Sequence, residues 1–92
     1  MICAKFLTRN GTLHGFDVQG HSGLAARGSD IVCAAVSSAV YMTANTITEV
    51  CGCEAAIREE DGRLRLTVTS DIDKAQPILR GLEIHLQELV AQ

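Results

Sequence analysis

Two residues able to carry out nucleophilic chemistry stand near each other in "GHSGLAARGSDIVCAAVS", residues 20–37. His21 sits in a glycine-rich stretch, and Cys33 follows twelve residues later at the start of an apolar run. Ser29 or Asp30 is the expected N-cap of a helix that begins there. Either choice puts Cys33 in the first turn, beside unpaired backbone N–H groups and the positive end of the helix dipole. Such a setting favours a thiolate, the reactive form of cysteine. A loop that folds back can carry an imidazole to the same helix start. Together these make the nucleophile and base of a cysteine hydrolase. Asp30 has two compatible roles: capping the helix, or orienting His21 as the third member of a triad does. Against this stands a plain structural reading, in which Cys33 is a buried core side chain and His21 an exposed loop residue.

The elements that must position these groups are readable from periodicity. "MICAKFLT" alternates as a strand, with Ile2, Ala4 and Phe6 on one face. Asn10-Gly11 is a hairpin signal, because both residues tolerate positive φ. "LHGFDVQG" alternates again, with Phe16 and Val18 opposite Asp17 and Gln19. Residues 20–30 carry Gly20, Gly23 and Gly28 and have no period, which marks a loop whose glycines permit movement. That loop is a candidate lid carrying His21. From Ile31 to Val50 the spacing is helical, with Val32, Val36, Val40, Thr43, Ile47 and Val50 in the stripe. Gly52 ends that helix. "CEAAIREED" and "RLRLTVTS" form a second hairpin about Asp61-Gly62. The last segment is an amphipathic helix with Ala75, Ile78, Leu79, Leu82, Leu86, Leu89 and Val90 in its stripe. Pro77 is best tolerated in a first turn, so the regular helix is expected from Asp73 or Lys74, or bent early. The order ββαββα predicts one α/β (α+β) domain over residues 1–92. It is a two-layer sandwich in which two helices cover one face of a four-stranded mixed or antiparallel sheet.

The chain has 92 residues, 47% of them hydrophobic, with eight Lys or Arg against eleven Asp or Glu. The net charge of −3 points away from nucleic acid, whose binders show a basic footprint, and suits a basic partner. No secretory signal is visible and no apolar run reaches the length of a membrane span, so no membrane association and a cytoplasmic location are expected. The small core favours a homodimer. Four cysteines, at positions 3, 33, 51 and 53, read as thiols in such a compartment. Cys51 and Cys53 form a C-x-C pair without a second ligand pair, unless His14 or His85 joins it. No metal or organic cofactor is therefore expected. The glycine loop lacks both phosphate-binding signatures, and Arg27 is its one cation.

The quoted segment also resembles the ribosomal-processing cysteine protease family, Prp. The resemblance rests on Gly20 and His21, then on Gly28, Asp30, Ile31, Val32, Cys33, Ala34, Ala35, Val36 and Ser37. Ser22 departs from the alanine that often follows the histidine. The length and element order extend the resemblance over essentially the whole chain. It implies a dimeric, cytoplasmic bacterial endopeptidase with Cys33 as nucleophile and His21 as general base and acid. It also implies a substrate: the N-terminal extension of large-subunit ribosomal protein twenty-seven. Two other classes stand beside this one. A non-catalytic ribosome-associated module would keep Cys33 buried and unreactive. A metal or redox protein would use Cys51 with Cys53.

Overall fold

The computed structural model describes residues 2–20 and 31–91. Met1, expected to open the first strand, and residues 21–30, with His21, Gly23, Gly28 and Asp30, lie outside that range, as does the side chain of Val90. The elements are β1 (Cys3–Arg9), β2 (Thr12–Gln19), α1 (Ile31–Asn45), β3 (Ala55–Glu60), β4 (Arg63–Val68) and α2 (Ile72–Ala91). A π-helical turn, Thr46–Val50, extends α1. The predicted ββαββα order is the observed one, and the sheet is wholly antiparallel with strand order β1-β2-β4-β3. Each hairpin joins the other through its second strand, which leaves β1 and β3 as edges.

The first hairpin turns at Asn10 and Gly11, whose φ values of 52° and 80° are both left-handed. This is the backbone that a two-residue turn needs to match strand twist. Beyond the turn the register slips: Thr8 faces Leu13 and Leu7 faces Gly15, so His14 has no partner on β1. The bulge resets the alternation. Leu13 and Phe16, three residues apart, are both buried in the same core. A Cβ at Gly15 would stand 1.9 Å from the Leu66 carbonyl oxygen, so only glycine fits where β4 approaches. Beside the bulge β4 ends, and Gln76 of α2 takes over its role. Gln76 Nε2 donates to the Leu13 carbonyl at 2.7 Å, and Gln76 Oε1 accepts from the Leu13 N–H at 3.0 Å.

The core lies between the sheet and both helices. Phe16, Val18, Leu64 and Leu66 supply the sheet face; Val36, Val40 and Ile47 come from α1 and its extension; Ala75, Leu79, Leu82 and Leu86 come from α2. The expected α1 stripe needs correction at its ends. Val32 is 48% and Val50 78% exposed, while Ala44 is buried instead. At 100° per residue, Val32 and Val50 fall together on one rim of the stripe, and Ala44 lies on the other side of its centre. The α2 helix begins at Ile72, ahead of the expected start, and keeps Pro77 inside it. The Ile31–Val50 helix is also long and apolar enough, by length and composition, to cross a membrane. That corrects the expectation that no segment reaches such a length. Its buried stripe packs on the sheet, and a core helix of this kind passes the same test.

On the outer face Asp17 is buried although its place in the strand alternation marked it as solvent-facing. Arg63 grips it with two bonds, Nε to Oδ1 at 3.1 Å and Nη2 to Oδ2 at 2.8 Å, and Arg65 Nη1 adds a third at 3.3 Å. The Arg63 hydrogen bonds hold the Asp17 carboxyl below the usual carboxylate range, against the opposing effect of burial.

Two stability predictions follow from these contacts. Gln76→Leu leaves the Leu13 N–H and C=O unpaired and is expected to cost about 2 kcal/mol in urea unfolding. A cost near zero would show that water replaces the amide. Asp17→Asn is expected to cost about 2 kcal/mol at neutral pH, since both arginines are partly solvated. A lowered carboxyl stabilises the fold in full above its ordinary value near 3.8. The gap between wild type and variant should therefore narrow as pH falls below that value and through the lower folded one. A gap that holds constant down to pH ~2 would contradict the assignment.

Candidate active site

Cys33 is the third residue of α1, in the first turn as the sequence predicted. Its side chain is 8% exposed, yet it stands apart from the main apolar cluster that Val36, Val40 and Ala44 join. The thiol points across the layer to the end of β2, where Sγ lies 3.9 Å from the Gly20 carbonyl oxygen. Gly20 is itself fixed. Its φ of 88° is left-handed, and its N–H donates to the Gly62 carbonyl at 2.8 Å in the second hairpin turn. One strand end, one hairpin turn and one helix start thus converge at the thiol. Of the predicted site residues the structure brings Cys33 and Gly20 together. His21, Asp30, Gly23 and Gly28 lie outside the described residues.

A mainly apolar groove of about 550 Å³ runs between the β1 edge and the two helices. Ile2, Ala4 and Phe6 of the β1 side form one wall, and Val32, Val36 and Leu86 of the helices form the other. Val32 and Val36 flank Cys33 along α1. The sequence reading did not identify this groove. Its signal was the stripe residue Val32, which lies on the rim and faces the β1 edge instead of the core.

The remaining cysteines and histidines do not join the site. Cys53 is buried, its thiol 3.4 Å from the Asp71 carbonyl, and burial pushes that thiol up from its ordinary range. Cys51 and Cys53 are unbridged thiols. Among the described residues no three His, Cys, Asp or Glu side chains gather as a metal site. His14 occupies the β2 bulge and His85 an exposed position on α2.

A cysteine in the first turn of a helix, set on a two-layer antiparallel α/β sandwich with an apolar groove along its edge strand, suits the class of small cysteine hydrolases. The whole chain, residues 1–92, matches the family model described as Cysteine protease Prp, and the chain belongs to that family of cysteine peptidases. It is 28% identical over 81 residues to the ribosomal processing cysteine protease Prp of Bacillus subtilis (strain 168), covering 80% of this chain and 72% of the relative. Two solved structures of the essential ribosomal processing protease Prp of S. aureus share the fold. The complex with a substrate peptide has a TM-score of 0.84 at 23% identity, covering 100% of this chain and 91% of that one. The complex with a covalently linked product peptide has a TM-score of 0.83 at 26% identity, covering 97% and 88%. SMU.848 from Streptococcus mutans is similar at 28% identity and a TM-score of 0.83, covering 99% and 87%.

Thiol reactivity toward a small alkylating agent should follow exposure. Iodoacetamide is expected to modify exposed Cys3 well before Cys53, as read by peptide mass spectrometry of the native chain. Equal rates at the two positions would mean that the Cys53 environment opens freely.

Proposed function

We propose that this chain is an endopeptidase that removes the N-terminal extension of large-subunit ribosomal protein twenty-seven during ribosome maturation. The observation that carries the reading is the placement of Cys33, in the first turn of α1 and against the end of β2, in a chain of the cysteine protease Prp family. The Bacillus subtilis relative is a ribosomal processing protease, and one S. aureus relative was captured with a covalently linked product peptide. A covalent product is the outcome expected of a nucleophilic enzyme. The groove along β1, which Val32 and Val36 of α1 also line, suits an extended peptide with apolar side chains.

In this reading Cys33 and His21 form the dyad. His21 follows Gly20 directly in the chain, and the Cys33 thiol lies against the Gly20 carbonyl. The thiolate attacks the scissile carbonyl, forming a carbon–sulfur bond. His21 gives its proton to the departing amine as the peptide bond breaks. His21 then takes a proton from water, which hydrolyses the thioester and restores the thiol. Backbone N–H groups at the start of α1 supply the oxyanion donors. Asp30 caps the helix, orients His21, or both. The enzyme acts as a homodimer in the cytoplasm, on a basic ribosomal protein that suits its negative net charge.

A second reading has one observation in its favour. Cys33 is only 8% exposed, as a non-catalytic ribosome-associated module would have it. A cleavage assay read by mass spectrometry separates the two. The substrate is a peptide spanning the N-terminal junction of the host's own ribosomal protein twenty-seven. Wild type is expected to make one defined cut. Cys33→Ala and His21→Ala should each lose at least ~10³-fold in kcat/KM, as loss of either member of a nucleophile–base pair does. No cut, on a substrate confirmed to carry the extension, would return Cys33 to the core and leave the binding module.

A further inference from the structure

The charge of this acidic chain is not spread evenly. Four of its eight Lys and Arg residues, Lys5, Arg58, Arg63 and Arg65, stand in two adjacent rungs on the outer face of the sheet, the face the helices leave uncovered. One rung crosses all four strands. Lys5 faces Asp17, Asp17 faces Arg65, and Arg65 faces Arg58. The next rung carries Gln19, Arg63 and Glu60 in the same order. These two rungs hold four cations against two carboxylates, in a chain whose total is −3. Asp17 is buried beneath Arg63 and Arg65 and leaves their outer edges in solvent, with side-chain exposures of 36% and 46%.

Arg58, Arg63 and Arg65 also line a shallow depression of about 370 Å³, together with Ala56, Ile57 and Thr67. The depression is open to solvent, so an anion can reach the three guanidinium groups that line it. Arginine forks match phosphate oxygens bidentately. Both phenylalanines, Phe6 and Phe16, are on the inner face, ring centroids 6.5 Å apart. The rungs of the outer face therefore offer no aromatic ring on which an unstacked base could lie. Four strands give a basic strip about 14 Å across, flat enough to meet the backbone of a nucleic-acid duplex.

We propose that this face binds the phosphate backbone of an RNA helix, with Arg58 and Lys5 as the principal contacts and Arg63 and Arg65 shared with Asp17. The net charge of the chain pointed away from nucleic acid because it averages the sheet with the acidic helix side. Face-to-face pairing of two copies through this surface would set arginine against arginine, so a second copy is disfavoured as its occupant. The proposal stands independently of the peptidase reading and would give a processing enzyme a hold on its ribonucleoprotein surroundings.

The test uses the full chain and a fluorescein-labelled RNA duplex of mixed sequence, read by anisotropy across a salt series. Binding through about three phosphate contacts should weaken about 40-fold between 50 and 200 mM salt. Arg58→Glu should weaken binding and reduce the salt slope by about 1, while Arg58→Lys should hold the slope. Lys74→Glu makes the same charge change on α2 and should leave the affinity within about twofold of wild type. Circular dichroism checks that each variant is folded, and a short junction peptide reads cleavage separately. Four results would overturn the proposal. The duplex fails to bind; Arg58→Glu and Lys74→Glu weaken binding equally; millimolar inorganic phosphate competes the duplex off, leaving a small-anion site; or Arg58→Glu changes sedimentation and not RNA affinity, leaving a protein interface.

Discussion

The meeting of the α1 start with the end of β2 is the constraint on which the site depends. Cys33 can serve chemistry only if its thiol faces a place that a substrate carbonyl and a base can both reach. The 3.9 Å approach of Sγ to the Gly20 carbonyl fixes that direction. Gly20 can present the carbonyl because its backbone is left-handed and its N–H is tied to Gly62. The tie runs to the turn of the second hairpin, so the hairpin that closes the sheet also anchors the strand end. α1 is held in turn by Val36, Val40 and Ile47, which lock it to the sheet core. The position of the thiol is thus a consequence of packing several residues away from it.

The other end of β2 faces the opposite problem. β4 stops while β2 continues, which would leave backbone groups of Leu13 unpaired beside the core. The bulge at His14 turns Leu13 inward, and the Gln76 carboxamide then supplies one donor and one acceptor to its main chain. Those are the two groups that a neighbouring strand would have provided. Gln76 also donates to the Ile72 carbonyl at 3.0 Å. That bond lies within the first turn of α2, while the two Leu13 bonds tie the same side chain to the sheet.

Much of this was legible in the residues. Strand alternation, the Asn10-Gly11 turn and the Leu64, Leu66, Val68 face are local patterns, and local patterns survive into the fold. The first-turn position of Cys33 was equally local, since either expected cap, Ser29 or Asp30, places it there. What the sequence hid depends on partners far along the chain. The His14 bulge exists only when β1 pairs with β2 in this register, and Gln76 looks like a solvent-facing helix residue until Leu13 arrives. Asp17 alternates as an outward residue and becomes buried because Arg63 and Arg65 face it from β4. Val50 shares the rim position of Val32 at 100° per residue, so the three- and four-residue spacing that joined both to the stripe overstated their burial. For the base, the residues offered a histidine in a glycine loop ahead of the helix start, and the family resemblance is what implies its pairing with Cys33.

The same antiparallel sheet explains why one small domain can present two surfaces of opposite character. Alternation sends Phe16, Val18, Leu64 and Leu66 inward, where the helices cover them, and sends Asp17, Arg63 and Arg65 outward. Thiol and groove lie on the helix side of the sheet, because a helix start and an edge strand are needed to build them. The arginines lie on the other side, where no helix competes for space. A substrate chain seated along β1 and a polyanion spread across the outer face would not exclude each other. Such a division also leaves Arg58 and Lys5 open to substitution without touching Cys33, which makes the two faces separable by single mutations.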